Sequence, residues 1–141
     1  MAIKKQEFYE GAALYLLARS GLVTGIRVEP PFFVLNNSVS VLLKYTTGKR
    51  SPWGFTVTPD EQVRLRDRSY SGRTVIGLVC GADGVAALEY DDYSSISELS
   101  DGAIHIACYR SHNSYYEVNT WYRAKNASIG LCSLPSPETL R

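Results

Sequence analysis

Long apolar runs are missing from this sequence. None reaches the roughly 18 residues that a membrane-spanning helix needs, so no such helix is expected. Clustered metal ligands are missing too. The three cysteines, Cys80, Cys108 and Cys132, stand far apart without a C-x-x-C pair, and there are only two histidines. That excludes the usual structural zinc frameworks and offers no disulfide framework. Cys80 ends one apolar run and Cys108 lies within another, so both read as buried thiols. There is no G-x-S-x-G, no H-E-x-x-H and no glycine-rich phosphate loop. Charge of one sign is also lacking: 15 Lys and Arg against 14 Asp and Glu leave a net charge of +1. No global field draws the chain to nucleic acid or membrane. The first residues, MAIKKQEFYEG, lack the apolar core of a signal peptide, and the expected setting is a reducing cytoplasm.

What is present fits a single domain over residues 1–141. That length supports a core, and 45% hydrophobic with 21% charged residues is ordinary for a globular domain. Charge is unevenly placed. Over residues 44–73, Lys44, Lys49, Arg50, Arg64, Arg66, Arg68 and Arg73 are set against Asp60, Glu61 and Asp67, a local +4. Residues 83–101 hold six acids and no Lys or Arg. One surface is therefore expected to be basic and another acidic.

Residues 5–19 read as a helix. Tyr9, Ala13, Leu16 and Leu17 fall on one stripe, Glu7 and Glu10 lie toward its N-terminal end, and Gly21 suits the C-terminal cap. Pro30-Pro31 forbids helix, and residues 32–45 read as a β-hairpin. Asn36-Asn37 is its turn, since Asn tolerates the positive φ of a tight hairpin. Residues 46–52 form a polar loop, and 53–57 return to strand. Thr58-Pro59-Asp60-Glu61 is a capping box with proline at the first helical position, which predicts a helix over 59–68. Residues 75–80, VIGLVC, read as the central buried strand. The turn at 81–84 leads into a strand over 85–90, and Asp91-Asp92 is expected to cap a short helix. Residues 104–109 read as strand and 111–114 as a turn. Residues 115–123 alternate, with Tyr116, Val118, Thr120 and Tyr122 on one face. The tail, with Pro135 and Pro137, reads as an irregular edge. The sum is an α+β fold, a mixed central β-sheet flanked by helices.

The order helix, strand, hairpin ending in Lys44, strand, helix, apolar strand resembles the PD-(D/E)XK nuclease superfamily, the restriction-endonuclease-like fold. Glu10, Ala13, Leu17 and Gly21 fit the E-x-x-A-x-x-x-L-x-x-x-G spacing of its small resolvase-like and restriction-like members. VSVLLKYTT is similar to the strand that carries E-x-K, SPWGFTV to the aromatic strand after it, and VIGLVC to the next buried strand. The resemblance covers residues 7–93. It implies a restriction-endonuclease-like core, and chemistry in which acidic oxygens hold Mg²⁺ while a lysine orients the nucleophile or steadies negative charge. By that match Lys44 is the motif lysine and Glu10 the first-helix acid, the two candidate catalytic residues. The acid of E-x-K falls at Leu42, and the hairpin Asp falls among Pro31, Phe32 and Phe33. Those side chains bind no metal. The expectation is a catalytically degenerate member without metal or cofactor. Mg²⁺ enters only if an acid has moved, with Glu29 and Asp60 as the candidates.

Two functional readings follow. In the first, DNA or RNA is bound by Lys44, Lys49, Arg50, Trp53 and Arg64, with the cations on phosphates and the tryptophan on a base. Each has a plainer alternative. Lys44 can be a snorkelling lysine, Glu10 a helix-dipole carboxylate, and the 49–53 stretch a solvated loop with its tryptophan folded under. In the second reading the chain is a binding or assembly module without nucleic acid. Tyr109, His112, Tyr115, Tyr116, Trp121 and Tyr122 would then supply a homodimer surface. His112 as a general base has no nucleophile or orienting acid at an indicated spacing.

Overall fold

The computed structural model describes residues 2–97, 102–110, 116–120 and 129–131. Helix α1 (Lys5–Arg19) starts at a capping box, where the Lys4 N–H donates to Glu7 Oε1 at 3.0 Å. It stops at Ser20 and Gly21, and the φ of +79° at Gly21 is a left-handed conformation that suits glycine. Strands β1 (Ile26–Glu29), β2 (Phe32–Leu35) and β3 (Val39–Thr46) form an antiparallel meander. The β2–β3 turn is Asn36-Asn37, with φ of +53° and +55°, as the hairpin reading expects. The Asn36 side chain also accepts from the N–H groups of Thr24 and Gly25 and donates to the Leu22 carbonyl, so it fastens the α1–β1 link.

β3 pairs in parallel with β5 (Arg73–Cys80), and β5 pairs antiparallel with β6 (Gly84–Glu89). The central sheet is therefore mixed and five-stranded, in the order β1-β2-β3-β5-β6. A parallel neighbour requires a crossover. Here it consists of β4 (Trp53–Val57) and α2 (Pro59–Ser71). α2 begins at the expected box. Thr58 Oγ1 accepts from the Glu61 N–H, and the Glu61 carboxylate accepts from the Thr58 N–H. It runs past the expected end at Arg68 to Ser71, where Gly72 follows. Helix α3 (Tyr90–Ile96) has Glu89 at its N-cap. Asp91 and Asp92 thus lie in its first turn rather than at the cap, where the dipole still favours them.

β4 does not join the central sheet that the sequence led us to expect. It pairs with β7 (Ile104–Arg110), which pairs with β8 (Tyr116–Thr120) and then β9 (Ile129–Leu131), giving a second, four-stranded sheet. The physical reason lies in its alternation. β4 buries Trp53, Phe55 and Val57 and exposes Gly54 and Thr56, the pattern of a strand covered on one face. β5 is buried continuously from Thr74 to Cys80, as a strand covered on both faces must be. The turn at 111–114, His112, Tyr115, Trp121, Tyr122, Cys132 and the proline-bearing tail lie outside the described residues.

Two cores flank the central sheet. On one side Val39, Val41 and Leu43 of β3 and Val75 and Val79 of β5 pack with Ala13 and Leu17 of α1. On the other, Leu42, Ile76, Leu78 and Cys80 pack with Leu65 of α2, Tyr93 and Ile96 of α3, and Phe55, Ile106 and Tyr116 of the second sheet. Strand side chains alternate between faces, so Lys44 shares the α2 side with Leu42. That parity positions the candidate site. Among the described residues, no helix is long and apolar enough to cross a membrane.

Candidate functional site

The β2–β3 ladder ends at the Phe32–Leu42 pair, while β3 continues beside β5 as far as Thr46 and Cys80. Pro30 and Pro31 stand at that end of β2, and neither has an N–H with which to extend the ladder. A cleft of about 500 Å³ opens where β3 outruns β2. Gln6 and Glu10 of α1, the two prolines, Lys44 of β3 and Glu61 of α2 line it.

Lys44 Nζ donates to Glu61 Oε1 at 2.8 Å and to Oε2 at 2.9 Å. The two side chains are only 20% and 19% exposed, so this is a half-buried pair rather than a surface one. Glu61 Oε1 also accepts from the Thr58 N–H at 3.0 Å. One carboxylate therefore answers a lysine and closes a helix cap. Glu10 reaches the same cleft from the other side of the sheet, and its carboxylate accepts from Gln6 Nε2 at 3.2 Å. Sequence reasoning brought Lys44 and Glu10 forward, and the fold sets both on one cleft. It missed Glu61 as a site residue and saw it only as a cap. The signal was the parity of β3, which turns Lys44 toward the helix that Glu61 begins.

The positions where the resemblance puts the motif acids are apolar in fact. Leu42 is 3% exposed and Phe32 5%, both in the core on the α2 side. Neither candidate for a moved acid lies on the cleft. Asp60 pairs with Arg64 at 2.9 Å on the exposed side of α2. Glu29 lies between Arg27 and Arg68 at 2.9 and 3.1 Å, and the hydrogen bond from Arg27 leads in holding its carboxyl below the usual range. It lines a second, shallower depression of about 420 Å³ with Arg64 and Arg68. Among the described residues, no three His, Cys, Asp or Glu side chains are grouped to hold a metal ion. Two carboxylates, one of them committed to Lys44 and Thr58, do not make the oxygen-rich shell that Mg²⁺ needs.

The expected nucleic-acid contacts separate into three kinds. Trp53 is a correction. It is 3% exposed, packs edge-on to Tyr116 with ring centroids 6.2 Å apart, and spends its indole N–H on the Gly48 carbonyl at 2.9 Å. A base cannot stack on it. Lys44 and Arg64 are already paired with acids. Lys49 and Arg50 are different. They are exposed on the 47–52 loop. Of the nine Lys and Arg from Arg27 to Arg110, seven (Arg27, Lys44, Arg64, Arg66, Arg68, Arg73 and Arg110) make ion pairs, and these two meet no acid among the described residues.

The loop that carries them is fixed at its base. The Gly81 N–H donates to the Thr46 carbonyl, Trp53 holds Gly48, and the Arg110 N–H donates to Ser51 Oγ at 3.0 Å. Beside it, Asp83 accepts from Arg110 and from the Tyr116 hydroxyl, joining the 81–84 turn to the second sheet. Burial works to raise the Asp83 carboxyl, but the Tyr116 and Arg110 hydrogen bonds outweigh it and hold the group below its ordinary value. Burial, and then the Asp83 carboxylate, push the Tyr116 hydroxyl up. Tyr116 is thus a core residue at 1% exposure, not part of an aromatic surface. The chain matches no protein-family profile, and no curated protein or solved structure is significantly similar to it.

Proposed function

We propose that this chain is a restriction-endonuclease-like domain that binds nucleic acid through its 47–52 loop and does not hydrolyse it. The order α1, β1, a hairpin with Lys44 near its end, β4, α2 and β5 supports the scaffold half of this reading. The observation that carries the binding half is the pair of unanswered cations. Lys49 and Arg50 stand exposed on an anchored loop and meet no acid among the described residues, while every other Lys and Arg from Arg27 to Arg110 is paired. Free cations on a fixed backbone suit phosphates, which are recognised by charge and position rather than by sequence. The core positions of Leu42 and Phe32, and the closed Lys44–Glu61 pair, support the absence of hydrolysis.

One experiment tests both halves. Labelled single- and double-stranded oligonucleotides are titrated with the protein at low and moderate salt, with Mg²⁺ or Mn²⁺ present, and the product is run on a denaturing gel. Salt-sensitive binding with intact oligonucleotide is the expected result. Absence of binding even at low salt overturns the proposal. A second reading rests on Glu10 and Glu61 sharing a cleft with Lys44. Cleavage that needs the divalent cation and disappears in Glu61→Gln would establish that reading instead, as a nuclease whose acid has moved to α2.

A further inference from the structure

We infer that β1 is a dimerisation edge, across which two copies of this chain pair antiparallel about Val28 and join their central sheets. Among the described residues β1 is paired only with β2, so its outer side is an open strand edge. The phase of the ladder fixes which groups that edge presents. The two-residue turn at Pro30-Pro31 closes on the Glu29–Phe32 pair, and at the other end the Asn36 N–H donates to the Gly25 carbonyl at 2.8 Å. Hydrogen-bonded pairs alternate along an antiparallel ladder, so Gly25, Arg27 and Glu29 turn their backbone groups toward β2. Ile26 and Val28 turn theirs outward. Their side chains are open to solvent as well. They pair with Leu35 and Phe33 and so lie on the α1 side of the sheet, but α1 packs on β3 and β5 and leaves Val28 61% and Ile26 40% exposed.

An open edge is a template for another strand, and charge selects the strand. Arg27 and Glu29 flank Val28 on the opposite face, with side chains 57% and 41% exposed. About a two-fold axis through Val28, Arg27 of each copy stands opposite Glu29 of the other, in the pairs where side chains come closest. The Val28 N–H of each copy donates to the Val28 carbonyl of the other, and the two valine side chains cover each other. A slip that pairs Val28 with Ile26 sets Arg27 against Arg27 and is disfavoured. Edges guarded against association commonly carry lysine. β1 has none, and its two charges are of opposite sign, in the order that a second copy matches. Val28 and Pro30 also line the cleft that holds Lys44 and Glu61, so the second copy stands at its rim.

The inference does not depend on the nucleic-acid reading, and its test uses no oligonucleotide. The full chain is expected to sediment as a dimer that weakens as salt rises. Val28→Pro removes an N–H that β2 does not use. Its circular dichroism is expected to match the unmodified protein, while the dimer dissociation constant rises about tenfold or more for the two hydrogen bonds lost. A second pair of variants reads the register directly. With Cys132→Ser in the background, Val28→Cys is expected to form a reductant-sensitive covalent dimer, since the paired Cα atoms stand about 5.5 Å apart. Ile26→Cys, about 14 Å from its counterpart along the strands, is expected to form none. Equal cross-linking of the two variants, or a dimer indifferent to a folded Val28→Pro protein, would overturn the inference. So would a monomer. One whose Val28 amide is protected from hydrogen exchange has its edge covered by its own chain, and one whose amide is open leaves the edge to a different partner.

Discussion

Lys44 and the pair Lys49 and Arg50 are close neighbours in the chain, and their charges are used in opposite ways. Lys44 lies inside β3, where ladder register and strand parity decide which way the side chain points, and it points at Glu61. Its charge is answered within the molecule. Lys49 and Arg50 lie on a loop anchored at the Thr46 and Gly48 carbonyls and the Ser51 hydroxyl, yet neither side chain is met by an acid among the described residues. A lysine in a motif-like position attracts attention first, but here it is already neutralised. From Arg27 to Arg110, the two cations that meet no acid among the described residues are the ones just beyond the strand.

The largest effect that would break this contrast is expected from Glu61→Ala. It strands a lysine that is 20% exposed and removes half of a capping box. The expected cost is about 3 kcal/mol in urea denaturation, with the pair's exposure keeping it at the low end for a half-buried ion. Adding Lys44→Met should restore part of that loss, because the unpaired charge goes with it. A second variant acts on the loop without touching a charge. Gly81 has φ of +55°, and a Cβ there would stand 2.3 Å from the Gly48 carbonyl oxygen. Gly81→Ala is expected to cost about 2 kcal/mol and to weaken oligonucleotide binding by displacing the loop.

A smaller effect concerns acid. The Asp83 carboxyl is held below its ordinary value in the folded chain. A group depressed in this way contributes stability above its unfolded value of 3.8, and loses it as the pH falls through the folded value. Thermal melts should decline along that acid limb, and Asp83→Asn should flatten the decline. The smallest change in stability is expected at the free cations. Lys49→Ala with Arg50→Ala should alter unfolding by no more than about 0.5 kcal/mol, since no packed or paired group is removed. A larger loss would mean that these charges are answered after all.

Much of the fold was legible because its signals are local. The α1 stripe, the Asn36-Asn37 turn, the Thr58–Glu61 box and the apolar run of β5 each name an element within a few residues. The second sheet was not read, although β4 displays one-faced alternation beside the two-faced runs of β3 and β5. Period gives the face of a strand and not its partner, and β4 finds its partner only at Ile104–Arg110. The site divided in the same way. The resemblance singled out Lys44 and Glu10, which the fold sets on one cleft, while Glu61 gave only its local role as a cap. Its contact with Lys44 depends on the crossover returning α2 to the face that Lys44 occupies. Trp53 was read as a stacking residue, with a tryptophan folded under the loop as the alternative, and its own alternation with Phe55 and Val57 favours the second, which the structure shows.

The most direct measurement is the salt dependence of oligonucleotide affinity in two neutralised proteins, Lys49→Ala with Arg50→Ala and Lys44→Met with Glu61→Gln. For the loop variant, weaker binding is expected, with a slope of log K against log salt shallower by about 1.4–1.8, the value for two lost phosphate contacts. The strand variant should keep the slope of the unmodified protein. An unchanged slope in the loop variant, or a loss confined to the strand variant, would contradict the division of labour between Lys44 and its neighbours on the loop.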